Sequence, residues 1–159
     1  MAKPRKSWRE KLADSKDLPK VVEITDKMSK RWGTGTLVIP APKEVDEIMK
    51  KVPRGKLITI NQIRAMLAQR HGATICCPIT SGIFVSIAAH AAEEAVAEGK
   101  ENITPYWRTL RSRGELNEKY PGGVEAQAAR LREEGHIIEP SKGKKPPKVK
   151  DFEKALVKL

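Results

Sequence analysis

Apolar side chains in the middle of the chain recur at the spacing of a helix, and this pattern constrains the fold more than any other feature. Val45, Ile48, Met49 and Val52 occupy positions i, i+3, i+4 and i+7, so they share one helical face. The segment Pro53-Arg-Gly55 then ends the pattern. The spacing predicts an amphipathic helix over residues 44–52.

Two more helices are predicted to follow. Thr59 is a suitable N-cap for the first, in which Ile63 and Leu67 share a face, and Gly72 gives its stop signal. Pro78 precedes the second, which we expect to run from residue 80 to about residue 98. Its predicted apolar face consists of Ile83, Ile87, Ala91 and Ala95.

The pattern changes after Gly99. Residues 103–110 are typical of an extended segment, Gly114 indicates a turn, and Pro121-Gly-Gly123 indicates a tight corner. A short helix over residues 124–134 and a final strand or cap at 136–138 complete the series. This order predicts a mainly α fold with a small β wing, a winged helix-turn-helix domain over residues 43–138.

Most of the positive charge lies outside this predicted domain. The net charge is +11, but residues 1–11 hold five Lys/Arg against one Glu, and residues 141–159 hold seven Lys against two acids. We therefore predict a basic N-terminal extension at 1–42 and a basic, Lys/Pro-rich C-terminal tail at 139–159. Lysine-rich tails attract any polyanion, so a solvated tail and a functional arm are both open interpretations. Within the extension we expect a short helix over residues 20–28, and Trp8 and Trp32 packed on the body.

Several function classes find no support in the sequence. No apolar run has the length of about 18–20 residues that a membrane span needs, and no secretory signal is visible. Two adjacent cysteines make no disulfide framework, so we expect a cytoplasmic protein. The three histidines form no ligand pattern, and we expect neither a metal nor a cofactor.

Four landmarks, in order and at similar spacing, carry a resemblance to the DNA-binding domain of the alkylguanine DNA alkyltransferases. Val-Pro-Arg-Gly-Lys-Leu-Ile-Thr at 52–59 resembles the family's Val-Pro-x-Gly-x-Val-x-Thr, and Pro-Tyr-Trp-Arg at 105–108 falls where the family has Pro-Cys-His-Arg. Gly114 with the Tyr-Pro-Gly-Gly corner at 120–123, and Leu-Arg-Glu-Glu-Gly at 131–135, are similar to the segments that follow. The resemblance covers about residues 43–138 and implies the same fold.

The departures from the family pattern concern its chemistry. Alkyl transfer needs a thiolate, which the family supplies with a Cys, an adjacent His and a Glu. Here the Cys position is Tyr106 and the His position is Trp107, while Glu134 keeps the third role. The resemblance is therefore to the alkyltransferase-like branch, which lacks the acceptor cysteine and binds damaged DNA. We expect no enzyme activity and assign Tyr106, Trp107 and Glu134 to a lesion pocket, either as an aromatic platform for a base or as a plug.

Two further family roles are also missing. The tyrosine that helps to rotate a nucleotide out of the duplex aligns with Ile60, and the arginine finger would lie near residues 81–83, where no basic residue occurs. The third helix contains no Lys or Arg from residue 79 to 99, and its Glu93, Glu94 and Glu98 argue against deep contact with the major groove. We expect DNA contacts from Thr80 and Ser81 at its N-terminal end, where the helix dipole favours phosphate, and from the arginines of the wing. These arginines are Arg108, Arg111 and Arg113.

Cys76 and Cys77 allow two interpretations. They are either small buried hydrophobic residues, which we favour, or a relocated alkyl acceptor. Taken together, the sequence predicts a non-catalytic protein that binds duplex DNA, with alkylated or distorted DNA and a repair protein as further partners. Wing arginines and lysine tails would supply the affinity. The alternative is a protein-interaction adaptor that kept the scaffold and lost DNA binding.

Overall fold

The computed structural model of the chain describes residues 7–157 and contains six α-helices, seven short strands and two 3-10 turns in that range. The basic residues Lys3, Arg5, Lys6 and Lys158 of the predicted extension and tail lie outside the described residues. The helices are α1 (Trp8–Ala13), α2 (Asp26–Trp32), α3 (Pro42–Lys50), α4 (Ile60–Arg70), α5 (Pro78–Ala97) and α6 (Gly123–Glu133). The strands are β1 (Lys20–Glu23), β2 (Thr36–Ile39), β3 (Ile58–Thr59), β4 (Ile75–Cys76), β5 (Thr109–Leu110), β6 (Ile138–Glu139) and β7 (Lys148–Val149), and the 3-10 turns are Tyr106–Arg108 and Phe152–Ala155.

The strands form three small sheets, so the predicted class, mainly α with a small β part, is confirmed. Strand β2 lies between β1, which is antiparallel to it, and β4, which is parallel. Strand β3 pairs in parallel with β5, with Ile58 opposite Thr109. Strand β6 pairs with β7 in antiparallel register, with Ile138 opposite Val149.

Local sequence signals place α3 and α4 as predicted. The four apolar residues of the expected α3 face, Val45 to Val52, are all buried. Thr59 caps α4: its hydroxyl accepts a hydrogen bond from the backbone N–H of Gln62, and the Gln62 side chain accepts one from the backbone N–H of Thr59. This reciprocal pair satisfies two donors that a helix start otherwise leaves free.

The predicted buried face of α5 is wrong in its first half. Ala91 and Ala95 are buried, but Ile83 is half exposed, and the residues that face the core there are Ser81, Val85, Ala88, Ala89 and Ala92. Small side chains let neighbouring helices approach closely, so tertiary packing selects the small-residue side of α5 although the isoleucines are more hydrophobic. α3 lies against α5 on this side and α1 covers the helix further along.

Residues 7–42 are attached to the body instead of extending from it. The backbone N–H groups of Trp8 and Arg9 donate to the Glu94 carboxylate on α5, and the Trp8 ring stacks on His90 at 4.4 Å between centroids, so the expected packing of Trp8 is confirmed. The helix expected over residues 20–28 is wrong. Val21 and Val22 lie in a strand, as β-branched residues favour, and helix α2 begins only after Thr25, whose hydroxyl accepts from the N–H of Met28.

The segment from residue 147 to 157 folds back onto the domain. The backbone N–H of Leu116 donates to the Pro147 carbonyl at 2.9 Å, and the N–H of Val149 donates to the Gly114 carbonyl at 3.0 Å. Val149 is buried in the core, and Leu156 forms a parallel bridge with Leu57 beside β3. Within the described residues, the expected tail is therefore a docked part of the fold.

This docking makes Gly114 sensitive to substitution. Gly114 has φ +80°, and a Cβ there would overlap the Phe152 ring, whereas Gly143, at φ +58°, has open space around it. Gly143→Ala incurs backbone strain alone, about 1 kcal/mol. Gly114→Ala should lower the free energy of unfolding by about 1–3 kcal/mol more, because the ring must move. Urea denaturation of both variants measures the difference, and equal losses would show that Phe152 does not restrict the turn.

Candidate functional site

The predicted site residues Tyr106 and Trp107 lie on the 3-10 turn that leads into β5. Both are buried, Tyr106 to 3% exposure and Trp107 to 9%. The Tyr106 ring meets the rings of Trp107 and Tyr120 edge-on, with centroids 5.3 Å and 5.2 Å away. Such T-shaped pairs are favourable, so the three rings form a rigid cluster.

The Tyr106 hydroxyl is held as a hydrogen-bond donor. It donates to Glu93 Oε1 at 2.6 Å. Burial raises the pKa of Tyr106 well above its ordinary value, and the hydrogen bond to the Glu93 carboxylate and its charge raise it further. The phenol therefore keeps its proton at neutral pH and is no nucleophile.

The Trp107 indole is fixed from two sides. Its Nε1–H donates to Glu134 Oε2 at 2.7 Å, and the Arg130 guanidinium lies over the ring at 4.3 Å. Arg130 also donates to Glu93 Oε1 at 3.1 Å, so the carboxylate that accepts from Tyr106 also holds the cation on Trp107. The two aromatic side chains are thus joined through charged partners.

Glu134 connects this turn to the rest of the fold. Its carboxylate accepts from Arg108 through Nε and Nη2, at 2.9 Å each for the shortest contacts, and from the Gly55 backbone N–H at 3.2 Å. Arg108 Nη1 in turn donates to the Val52 carbonyl at 2.7 Å. Burial opposes ionisation of Glu134, but the hydrogen bonds from Arg108, Trp107 and Gly55 outweigh it and hold the pKa below its ordinary range. Glu134 is therefore charged, and it binds Arg108 inside the protein.

The structure thus brings the three predicted pocket residues together in one closed network. Sequence reasoning missed two members, Glu93 and Arg130, because each has the appearance of an ordinary charged residue on a helix surface. The sequence does contain one signal for Glu93, which is its position. It directly follows Ala91 and Ala92, two of the small residues that α5 buries. The polar side-chain groups of Tyr106, Trp107 and Arg108, which form the aromatic turn, are therefore all occupied by partners within the protein.

An open cleft of about 610 Å³ lies on the outer side of Trp107. Its walls come from the ends of α3 and α5, the loop at 100–105, and α6. Its charged lining residues include Lys50, Lys100, Arg130 and Glu101, and Val96, Ile103 and Pro105 give it apolar walls. Lys50 is paired with Asp46 and Arg130 with Glu93. This volume lies within the usual range of about 300–1,000 Å³ for small-molecule sites.

Thr80 and Ser81, the residues predicted to contact DNA at the start of α5, lie far from the aromatic turn. Residue 80 precedes Glu93 by 13 positions, about 20 Å along the helix axis at 1.5 Å per residue. The Ser81 hydroxyl is buried and accepts from Arg64 Nε at 2.8 Å, and Thr80 Oγ1 is also buried. The exposed side chains on these first turns are apolar, with Ile79 at 57% and Ile83 at 50% exposure.

The three arginines that the sequence assigns to a wing have different environments. Arg108 is bound to Glu134 and largely buried. Arg111 and Arg113 are exposed on a turn that the Gly114 N–H closes by donating to the Arg111 carbonyl at 3.0 Å. Among residues 7–157, neither exposed arginine forms an ion pair. Two of the three arginines are therefore free to meet a solvent-side partner.

The acidic residues in the second half of α5 are used within the fold. Glu94 accepts from Arg9 Nε at 3.2 Å and from the first N–H groups of α1, and Glu98 pairs with Arg9 as well. With Glu93 committed to Tyr106 and Arg130, each of these three carboxylates has an internal cationic partner. Two arginines are therefore shared among the three carboxylates, and part of the negative charge that argued against nucleic acid contact at this helix is neutralised.

Both cysteines are buried and free, which confirms the interpretation as small buried residues. Burial, and then the neighbouring Cys77, raises the pKa of the Cys76 thiol to about 12. Within the described part of the chain, no group of three or more His, Cys, Asp or Glu residues is placed to hold a metal ion. No helix between residues 7 and 157 combines the length and apolarity needed to cross a bilayer.

Two solved structures share this fold. They are S. pombe Atl1 in complex with damaged DNA containing O6-carboxymethylguanine, and S. pombe ATL in complex with DNA. Each matches with a TM-score of 0.51 and 21% sequence identity, over 74% of this chain and 94% of the other. No family model matches the sequence, and no curated protein matches it. The predicted resemblance to the fold of the alkyltransferase-like branch is confirmed.

Glu134 should be essential for stability. Glu134→Gln removes the charge that Arg108 and Trp107 depend on and should lower the free energy of unfolding by about 3 kcal/mol at pH 7. Because the folded-state pKa is lowered, the charge stabilises the fold above pH 4.5, the ordinary value, and this stabilisation disappears as the pH falls through the lowered pKa. The difference in the free energy of unfolding between wild type and variant should therefore become smaller in acid.

Urea denaturation at pH 7 and at about pH 4 measures this difference in the free energy of unfolding. Glu133→Gln is the matched control, because Glu133 is exposed and adjacent in sequence. The role assigned to Glu134 would be contradicted if Glu134→Gln lost little stability at pH 7, or if Glu133→Gln lost as much.

Proposed function

We propose that the chain is a non-catalytic DNA-binding protein of the alkyltransferase-like type that recognises alkylated or distorted DNA. The observation that carries this proposal is the fold shared with the S. pombe alkyltransferase-like protein in two structures solved in complex with DNA. In the proposed winged helix-turn-helix domain, α4 and α5 form the helix pair, and the turn at Arg111–Gly114 is the wing. The free cysteines fit a reducing cytoplasm.

The absence of alkyl transfer follows from the groups available at the aromatic turn. Transfer requires a thiolate or another activated nucleophile. Tyr106 is a protonated phenol that donates to Glu93, and Trp107 has no nucleophilic atom. Cys76 and Cys77 are buried, and the pKa of Cys76, about 12, keeps that thiol protonated.

In this proposal Arg111 and Arg113 contact backbone phosphates, and Arg108 is a positioning residue that holds the base of the wing through Glu134. Thr80 and Ser81 lie in the first turn of α5, whose dipole favours phosphate. Their hydroxyls are buried, so in this proposal the helix end faces DNA and these two side chains make no direct contact. Trp107 is the one predicted pocket residue that borders the open cleft. We assign base selectivity to Trp107, with Tyr106 and Glu134 holding its ring in place.

The first test is fluorescence anisotropy with matched plain and alkylguanine duplexes at low and physiological salt. We expect binding that weakens steeply with salt, because phosphate contacts release counterions, and a modest preference for the lesion. Arg111→Glu with Arg113→Glu should weaken binding about tenfold or more. Arg132→Glu, an exposed arginine on α6, is the control. Salt-insensitive binding would contradict the proposal.

A second candidate function is a protein-interaction adaptor. The observation that favours it is the exposed pair Ile79 and Ile83, on a helix start that carries no basic side chain. The arginine variant also separates the two candidates, since an adaptor keeps its partner when Arg111 and Arg113 are reversed. If wild type shows no duplex binding at low salt, the adaptor becomes the better interpretation.

Neither cysteine should accept an alkyl group. After incubation of the full chain with duplex DNA containing methylguanine, intact-mass spectrometry should show no added methyl group. Iodoacetamide should label both thiols in denaturant, because they are free, and neither in the native protein, because both are buried. A methyl adduct on the peptide containing Cys76 and Cys77 would establish a relocated acceptor and overturn the non-catalytic assignment.

A further inference from the structure

The lysine-rich segment near the C-terminal end is an ordered hairpin. We use the name lysine hairpin for residues 138–149, in which β6 and β7 are joined by residues 140–147. Glu139 lies opposite Lys148 in the strand pair, and Lys142 bridges to Lys145, whose N–H donates to the Lys142 carbonyl at 3.0 Å. Its lysines therefore project from a defined backbone, where a flexible tail would distribute them over many positions.

The hairpin is fastened to the wing. Glu115 and Lys148 form an antiparallel backbone β-bridge, the Leu116 N–H donates to the Pro147 carbonyl, and the Val149 N–H donates to the Gly114 carbonyl. Val149 is buried in the core, so the returning strand is anchored by apolar packing as well. The connection fixes the hairpin beside the turn that carries Arg111 and Arg113.

The exposed charges of the two turns have one sign. Lys142, Lys144 and Lys145 are exposed on the hairpin, as Arg111 and Arg113 are on the wing. Neither turn contains an acidic residue from 111 to 113 or from 140 to 145. Between residues 7 and 157, none of these five cations is bound in an ion pair.

We propose that the lysine hairpin is a second wing, which forms with Arg111 and Arg113 one continuous surface for the backbone phosphates of duplex DNA. This inference rests on the proposed function and extends its contact surface. A surface of unpaired cations without large apolar side chains matches a phosphate backbone, whose binding is driven by counterion release. The ordered backbone has already lost the conformational freedom that a tail would lose on binding. Pro146 and Pro147 restrict it further.

The test compares two charge reversals in the full chain. The hairpin variant is K142E/K144E/K145E, and the control variant is K27E/K30E/R31E, which reverses three exposed cations on α2 and changes the net charge by the same amount. Anisotropy with a plain duplex of about 20 base pairs, two helical turns, is measured over a salt series. Thermal unfolding of each variant checks that the fold is kept, as expected for exposed side chains.

The hairpin variant should bind about tenfold or more weakly at low salt, and the slope of log K against log salt should become shallower by about 2–3, close to 0.9 per lost phosphate contact. The control variant should lose much less affinity at low salt, and its slope of log K against log salt should change much less. Equal losses would show that total charge alone matters and would overturn the second wing. An unaffected hairpin variant, with wild type still binding, would overturn it and leave the proposed function intact. If wild type binds no duplex, the proposed function fails first and the second wing with it.

Discussion

The buried carboxylate of Glu134 determines the arrangement around it, because three donors from two separate parts of the chain bind to it. Arg108 and Trp107 approach from the 3-10 turn, and the Gly55 N–H comes from the loop before β3. A buried charge is unfavourable unless its partners are well placed, so these donors cannot move independently. The aromatic turn, the start of the β3–β5 pair and the end of α6 are consequently held at one point. The turn at Arg111–Gly114, the proposed wing, begins soon after this turn, and its position follows from the same contact.

The sequence predicted those features that short-range interactions determine. The apolar face of α3 and the Thr59 cap depend on residues three and four positions apart, so the pattern alone was sufficient. The buried side of α5 depends on which helices come close to it, and the choice of small residues over Ile83 is a property of the tertiary arrangement. The grouping of Tyr106, Trp107 and Glu134 came from the family resemblance, because no local spacing joins them.

The charged residues were the hardest to interpret from the sequence. Glu93, Glu94 and Glu98 along α5 suggested a surface that repels nucleic acid, yet their internal partners Arg9 and Arg130 lie far away in sequence. The lysines at residues 142–150 suggested a solvated tail, although Val149 is a core residue among them. A count of charges cannot distinguish a free lysine from one on a docked strand. Only the contacts of neighbouring apolar residues make that distinction.

The bridge between Leu57 and Leu156 also affects how the chain acquires its structure during synthesis. The two residues are separated by about 100 positions, and contacts of such long range form late because a large loop must be closed first. α1 is joined to Glu94 over a similarly long interval, 86 positions for the Trp8 contact. A growing chain on the ribosome therefore exposes one side of β3 until residue 156 has left the exit tunnel, and the domain reaches its final form only after that moment.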